Sequence, residues 1–313
     1  MIPALKEKKL SGRDHLNIIR RHIKINIVLA LSLGILAIFT GTNIFLGGVT
    51  GFMLGVALSY LLEYLDCTLK TSEDVERCAK IPFLGYIPVA GEELSDKKDA
   101  DLIAHYQRYS CVAEAFRKIK AELIADSSHE KPIKTLMVSS FIPKEGKTFV
   151  ATNLAITLAA DQEAVLLVDG DLRKGRLADI FTAGSNKGLT SALAGTSSWQ
   201  DVVFSTVIPN LSLLPMGKLS SNPGELLNTG KLREILTEAG KKFEWIVIDS
   251  SPVLCVADPL ILSNYCDGLV FVIKAGATPL KQIIDAQKRI SGKVKVLGAV
   301  LNSVDADKIR SHN

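Results

Sequence analysis

The sequence predicts an open, doubly wound α/β domain with a mostly parallel sheet, preceded by a two-helix transmembrane hairpin. Three observations predict it. Short apolar runs without polar alternation recur through the second half of the chain, separated by helical segments, as in a sheet buried on both faces. An uncharged stretch of 38 positions runs from Ile25 to Leu62. Carboxylates follow directly on two of the apolar runs, and a Gly-Lys-Thr triplet follows a third.

The chain has 313 residues, 47 % of them hydrophobic, a formal net charge of +4 and a mean hydropathy of +0.24. That charge indicates no nucleic-acid partner. The cysteines (67, 78, 111, 255 and 266) are scattered and form no CxxC, and the histidines form no HExxH, so neither a disulfide framework nor a zinc centre is indicated.

Residues 1–24 form a basic segment carrying Lys6, Lys8, Lys9, Arg13, Arg20, Arg21 and Lys24. At about 1.5 Å per residue, a single helix over 25–62 would run roughly 57 Å, against a hydrocarbon core of about 30 Å. Two spans fit, over about 25–40 and 44–62, if the chain turns at Gly41-Thr42-Asn43. The basic flank holds the N-terminus in the cytoplasm, and two spans return the chain there. No small-residue cleavage site marks a signal peptide. Gly47, Gly51, Gly55 and Ser59 share one helical register, which suits either oligomerisation or packing of the hairpin on itself.

Residues 63–110 read as a membrane-proximal segment and linker. Thr71-Ser72-Glu73-Asp74 signals a helix start, "IPFLGYIP" is turn-rich, and the polar residues 89–109 connect to the domain of residues 111–313. "CVAEAFRKIKAELI" (111–124) has helical spacing, with Glu114, Arg117 and Lys120 in one stripe. The strands expected next are "TLMVSS" (135–140), "AVLLVDGD" (164–171), "WIVIDSS" (245–251), "GLVFVIKA" (268–275) and "VLGAVLNS" (296–303).

The chemistry concentrates after the first of these. "FIPKEGKT" puts Lys147 and Thr148 at a helix N-terminus, where orphan backbone N–H groups and the helix dipole attract phosphate. Lys147 would neutralise β/γ-phosphate charge and Thr148 would offer a hydroxyl to Mg²⁺. Asp169, Asp171 and Asp249 end two further strands. Ligands of open α/β sheets bind beyond the carboxyl ends of strands, so the three carboxylates and the loop converge on one edge. Mg²⁺ needs few protein oxygens beside phosphate and water.

Together these segments resemble the bacterial tyrosine kinases of capsule and exopolysaccharide export, the cytoplasmic part of polysaccharide co-polymerases, on the P-loop branch of the MinD/ParA ATPases. The resemblance runs from about Leu65 to Asp305. The family's loop reads close to S-x-x-P-G-E-G-K-[ST]. Ser140 to Thr148 match it, except that Lys144 stands for the middle glycine. "LLVDGDLRKG" resembles the family's second acidic motif, "WIVIDSSPV" its Walker B, "SNPGELL" its N-P-x-E-L-L segment, and "GAVLNSV" the region whose Asn302 would face adenine. The E-x-x-R-x-x-R stripe that joins subunits into rings matches Glu114, Arg117 and Lys120, with Lys lacking the guanidinium fork.

The resemblance implies ATP and Mg²⁺ as cofactors. It implies nucleotide contacts at Pro143, Lys144, Glu145, Gly146, Lys147, Thr148, Phe149, Arg173 and Asn302, and a metal site of Thr148, Asp169 and Asp249. Catalysis falls to Lys147, Asp169, Asp171 and Asp249, with either Asp169 or Asp171 as base. The expected protein is a membrane-anchored tyrosine kinase of the bacterial inner membrane, ring-forming, with its catalytic domain cytoplasmic. Its expected partners are the polysaccharide export machinery and a separate tyrosine-bearing substrate.

Two departures stand out. The chain ends "DADKIRSHN" without the family's tyrosine cluster, its last tyrosine being Tyr265, and three residues stand where relatives hold a long periplasmic domain. The alternative is an ATPase switch or scaffold of an export complex. A MinD/ParA positioning ATPase is disfavoured, because Ile142 occupies the place of its signature lysine.

Overall fold

The structure, a computed structural model, describes residues 19, 22–39, 44–65, 68–89, 100–127, 132–184 and 186–305. The chain divides into two compact units, Met1–Cys67 and Thr68–Asn313.

In the first unit two apolar helices, α1 (Ile23–Phe39) and α2 (Ile44–Leu65), pack against each other. The glycines make this possible. A Cβ at Gly47 would stand 2.7 Å from Ala37 Cβ, one at Gly51 2.5 Å from the Leu29 carbonyl oxygen, and one at Gly55 2.8 Å from Asn26 Oδ1. The small-residue stripe therefore packs the hairpin on itself. In the same seam the Ser59 hydroxyl donates to Asn26 Oδ1 at 2.9 Å. Leu31, Leu46, Phe52 and Leu54 remain exposed along the outside. Among the described residues, Phe45–Leu62 is long and apolar enough to cross a membrane, while Ile23–Ile38 falls short of that length. The expected turn at residues 41–43, and all of the basic flank except Lys24, lie outside the described residues.

The second unit is built on an eight-stranded sheet: β1 (Phe83–Pro88), β2 (Thr135–Ser140), β3 (Val165–Asp169), β4 (Phe204–Ser205), β5 (Leu211–Leu214), β6 (Trp245–Asp249), β7 (Gly268–Lys274) and β8 (Lys295–Val304). The spatial order is β1-β8-β7-β2-β6-β3-β5-β4, parallel throughout except for the short β4–β5 pair. Successive side chains alternate between two cores. Met137, Leu166, Ile246, Ile248 and Phe271 point to one, and Leu136, Val138, Leu167, Val247 and Val270 to the other. Both faces are covered, which is why the strands carry no polar alternation.

The first core also takes in α5 (Gly230–Ala239) and α6 (Leu280–Ile290), and the second α3 (Cys111–Ser127) and α4 (Lys147–Ala159). Helix α4 is buried on nearly every side, from Thr148 through Ala159. A helix that is apolar all round has no solvent face to present.

The stretch expected to be a membrane-proximal segment and linker is in part folded into this unit. Residues 83–88 form edge strand β1, parallel to β8. Of the polar stretch 89–109, residues 89 and 100–109 are described, and the latter are no loose connection: Leu102 and Ile103 are buried at a single helical turn, Ile103–Tyr106. Asn153 in α4 holds that turn, accepting the Ala104 N–H and donating to the Asp101 carbonyl, each at 2.9 Å.

Phe141, the residue after β2, stacks on Phe271 of β7 with ring centroids 4.3 Å apart, both fully buried. Phe271→Ala should lower the unfolding free energy by about 3–5 kcal/mol, measured by denaturant unfolding followed through Trp199 and Trp245 fluorescence. A loss below about 1 kcal/mol would contradict this packing.

Candidate nucleotide site

The site forms where β2 passes through a tight loop into α4. Gly146, the N-cap of α4, is left-handed (φ +95°), and no side chain caps the first N–H groups of the helix. Lys144 is also left-handed, at φ +68°, with its side chain exposed. The residue that replaces the family's glycine thus adopts the glycine conformation, at an expected strain of about 1–2 kcal/mol.

Register brings the carboxylates together. Asp169 at the end of β3 lies directly opposite Asp249 at the end of β6, and Val138 of β2 lies beside Asp249. Lys147 reaches into this group: its Nζ is 3.0 Å from Asp171 Oδ2 and 3.5 Å from Asp249 Oδ1. The Thr148 hydroxyl donates to Asp249 Oδ2 at 2.7 Å. Ser251, which the sequence reading did not single out, donates to Asp171 Oδ1 at 2.8 Å. Its position two residues after Asp249 was the available signal.

One ammonium faces three buried carboxylates, and the proton affinities record the imbalance. Burial opposes the charged form of Lys147, but Asp249 and Asp171 outweigh it and raise its pKa. Burial opposes ionisation of Asp171 too, yet the Lys147 charge and hydrogen bonds from Lys147 and Ser251 hold it below the ordinary value. Burial raises Asp249, partly offset by Lys147 and Thr148. Asp169 bears the excess. Burial first, then the Asp249 charge, push it up to about 8. Its Oδ2 accepts the Leu177 N–H at 3.2 Å, while Oδ1 is buried without a hydrogen-bond partner.

Such a donor set fits a hard divalent cation. An unpartnered carboxylate oxygen, excess negative charge and a neighbouring hydroxyl are what Mg²⁺ uses alongside phosphate. Among the described residues no three histidine, cysteine or carboxylate side chains form a ready-made metal cage. A cation held largely by phosphate and water needs none.

Several side chains expected at the nucleotide are turned elsewhere. Glu145 points into the protein, accepting the Ile142 N–H at 2.7 Å and the Lys274 N–H at 3.3 Å. Asn302 braces the loop, donating to the Glu145 carbonyl at 2.8 Å and accepting the Ser303 N–H at 2.8 Å. Phe149 packs edge-on against Phe116 of α3 at 5.8 Å. Arg173 forks onto the buried Asp258, with Nε at 2.8 Å and a terminal nitrogen at 3.2 Å. Pro143 is exposed in the loop.

The stripe on α3 also divides. Glu114 and Arg117 pair with each other on the half-exposed surface, and Arg117 donates to the Arg108 carbonyl at 2.9 Å. Lys120 is buried, bonded to Asp161 and to the Thr157 carbonyl, so its charge is used within the unit. Arg117 and Lys120 border a groove of about 610 Å³ with Arg108, Ile124 and Ile156.

Two outcomes test this geometry. The folded Asp169 carboxyl keeps a proton that the unfolded chain loses between about pH 3.8 and about pH 8. Its contribution to stability is therefore fully present at low pH and lost as pH rises through that window. The unfolding free energy of the wild type, relative to Asp169→Asn, should fall from pH 4 to pH 8, and a flat difference would remove Asp169 from the cluster. Lys144→Gly should stabilise the unit by about 0.5–1 kcal/mol in denaturant titration, the strain relieved less the added freedom of the unfolded chain.

Residues 137–294 match the family model described as an AAA domain. Tyrosine-protein kinase YwqD of Bacillus subtilis (strain 168) is 35 % identical over 209 residues, which cover 66 % of this chain and 88 % of YwqD. The succinoglycan biosynthesis transport protein ExoP of Rhizobium meliloti (strain 1021) is 28 % identical over 303 residues, 86 % of this chain but 38 % of ExoP. This chain thus spans little more than a third of that longer relative. The solved kinase domain of Escherichia coli tyrosine kinase ETK superposes with a TM-score of 0.70 at 26 % identity, covering 76 % of this chain and 96 % of that domain. A sheet of this order, a phosphate-type loop after its central strand and these relatives lead to one conclusion: the chain belongs to the bacterial tyrosine-protein kinase family.

Proposed function

We propose that this chain is a membrane-anchored, ATP-dependent protein-tyrosine kinase acting in exopolysaccharide or capsule biosynthesis and export. The observation that carries the reading is the Lys147 ammonium, 3.0 Å from Asp171 and 3.5 Å from Asp249 at the N-terminus of α4. The loop N–H groups and Lys147 bind the β- and γ-phosphates of ATP. Thr148, Asp249 and Asp169 would hold Mg²⁺, which would neutralise charge on the transferring phosphoryl group.

Asp171 is the proton acceptor in this reading. Asp169 is taken up by the metal site in this reading and Asp171 is not; against the opposing effect of burial, the Lys147 charge and hydrogen bonds from Lys147 and Ser251 hold Asp171 below the ordinary carboxylate value. The tyrosine oxygen forms a bond to the γ-phosphorus, the bond to the ADP oxygen breaks, and the phenolic proton passes to Asp171. In a loose transition state the nucleophile needs little deprotonation, so a carboxylate of low proton affinity suffices.

The phosphoacceptor is a tyrosine on a separate protein. Glu114 and Arg117 remain available for contact between subunits of a ring, while Lys120 contributes inside the unit. The two apolar helices anchor the chain as a double span, with the basic N-terminal flank and Thr68–Asn313 on the cytoplasmic side. The partner is polysaccharide export machinery, a reading supported by the name of ExoP.

The test uses the full chain in detergent micelles with γ-labelled ATP, Mg²⁺ and a glutamate–tyrosine copolymer. Label on tyrosine is the expected outcome, and Lys147→Met should reduce it on the order of 100-fold. Release of ADP without label on tyrosine would favour the ATPase-switch reading instead, and an unimpaired Lys147→Met would remove the site.

A further inference from the structure

We propose that Thr278 is a positioning residue for the phosphate loop: its hydroxyl holds the Glu145 carboxylate, and through it the loop's backbone, in the ligand-binding arrangement. The inference rests on the nucleotide reading above, because the loop matters to function only if phosphate binds there.

Glu145 is the one acidic side chain of the loop, and it faces away from the helix N-terminus. One carboxylate oxygen accepts the Ile142 N–H at 2.7 Å, within the loop. The other accepts the Thr278 hydroxyl and, at 3.3 Å, the Lys274 N–H, both beyond the loop at the end of β7. The carboxylate is a strut between two segments far apart in sequence. It is 2 % exposed, and Thr278 is fully buried. A buried carboxylate that loses its hydroxyl donor has no water to replace it, so the loop must shift or the charge stays under-solvated.

Thr278 is itself held from behind. Its carbonyl accepts the Leu69 N–H at 3.3 Å, and the Leu69 carbonyl accepts the Gly276 N–H at 2.8 Å. Thr68 forms an antiparallel bridge to Pro279. The Leu69 side chain is fully buried in the core that also holds Phe141 and Phe271. The first two residues of the second unit therefore clamp the turn at 276–279, and that turn clamps the loop. Asn302 grips the same residue from its other end, through the Glu145 carbonyl. Two independent holds on residue 145 keep the loop in shape even though Lys144, rather than a glycine, occupies its left-handed position.

The test compares the wild-type full chain in detergent micelles with Thr278→Val, which keeps the shape and removes the hydroxyl, and Thr278→Ser, which restores it. The first readout is amide hydrogen exchange of the nucleotide-free protein at Ile142 and Lys274. The second is equilibrium binding of a fluorescent ADP analogue with Mg²⁺. Thr278→Val should accelerate exchange at both amides and weaken binding, each by about 10-fold, the scale of one hydrogen bond to a charged group. Thr278→Ser should stay within about twofold of wild type, as expected for a retained hydrogen bond. Should Thr278→Val fail to fold, Glu145→Gln serves in its place. It keeps the volume but leaves one acceptor oxygen for the two sides of the strut, so faster exchange at Ile142 or at Lys274 supports the inference and wild-type exchange at both overturns it. Wild-type exchange and affinity in Thr278→Val overturn it, as does an equal loss in the valine and serine variants. If the wild type binds no ADP analogue, the nucleotide reading fails and the inference with it. Binding that Thr278→Val leaves unchanged sinks the inference alone.

Discussion

One lysine among three buried aspartates is the constraint around which the second unit is arranged. The Lys147 ammonium can meet Asp171 and Asp249 only if α4 leaves β2 at the carboxyl edge and β6 lies between β2 and β3. The parallel register then puts Asp169 opposite Asp249. These charges stay buried because sheet and helices cover them on both sides, and burial converts their proximity into a large electrostatic effect. The cost falls on Asp169, whose proton affinity rises to about 8 and whose Oδ1 has no partner. A divalent cation beside these carboxylates would offset that cost.

Around this centre, side chains and backbone divide the work. No side chain caps the first N–H groups of α4, while the one acidic side chain of the loop is committed inward. Glu145, Asn302 and Thr278 form a brace that fixes where those N–H groups point. Arg173 and Phe149 make a similar choice, one held by Asp258 and the other packed on Phe116. A phosphate site of this kind is preorganised through the groups that do not touch phosphate, because a flexible loop would lose much of the binding energy in ordering itself.

The pair of apolar helices in the first unit follows a different rule. Apolar surface drives no association between helices in a lipid setting, so close approach depends on small residues. Gly47, Gly51 and Gly55 supply it, and the Asn26–Ser59 hydrogen bond lies in the same seam. The stripe is thus used inside the helix pair, where each added Cβ would meet the facing helix.

The sequence by itself determined the fold class, because runs buried on both faces, such as "WIVID" and "GLVFVIK", carry no polar alternation and can only belong to a covered sheet. It also determined the central cluster: Lys147, Thr148, Asp169, Asp171 and Asp249 are each tied to a strand end or helix start, and local pattern sets those positions. Tertiary structure decided where polar side chains outside that cluster point. Nothing within a few residues of Glu145 announces that its partner is Thr278, more than a hundred positions away, or that Lys120 meets Asp161 rather than a neighbouring subunit. It decided as well that residues 83–88 and 100–109 join the folded unit. Edge pairing with β8 and the side chain of Asn153 hold those segments, and both partners are distant in sequence. The physical reason is the same in each case. Periodicity and strand ends are local properties of the chain, whereas the partner of a buried polar group is chosen by whichever distant segment the packing brings within reach.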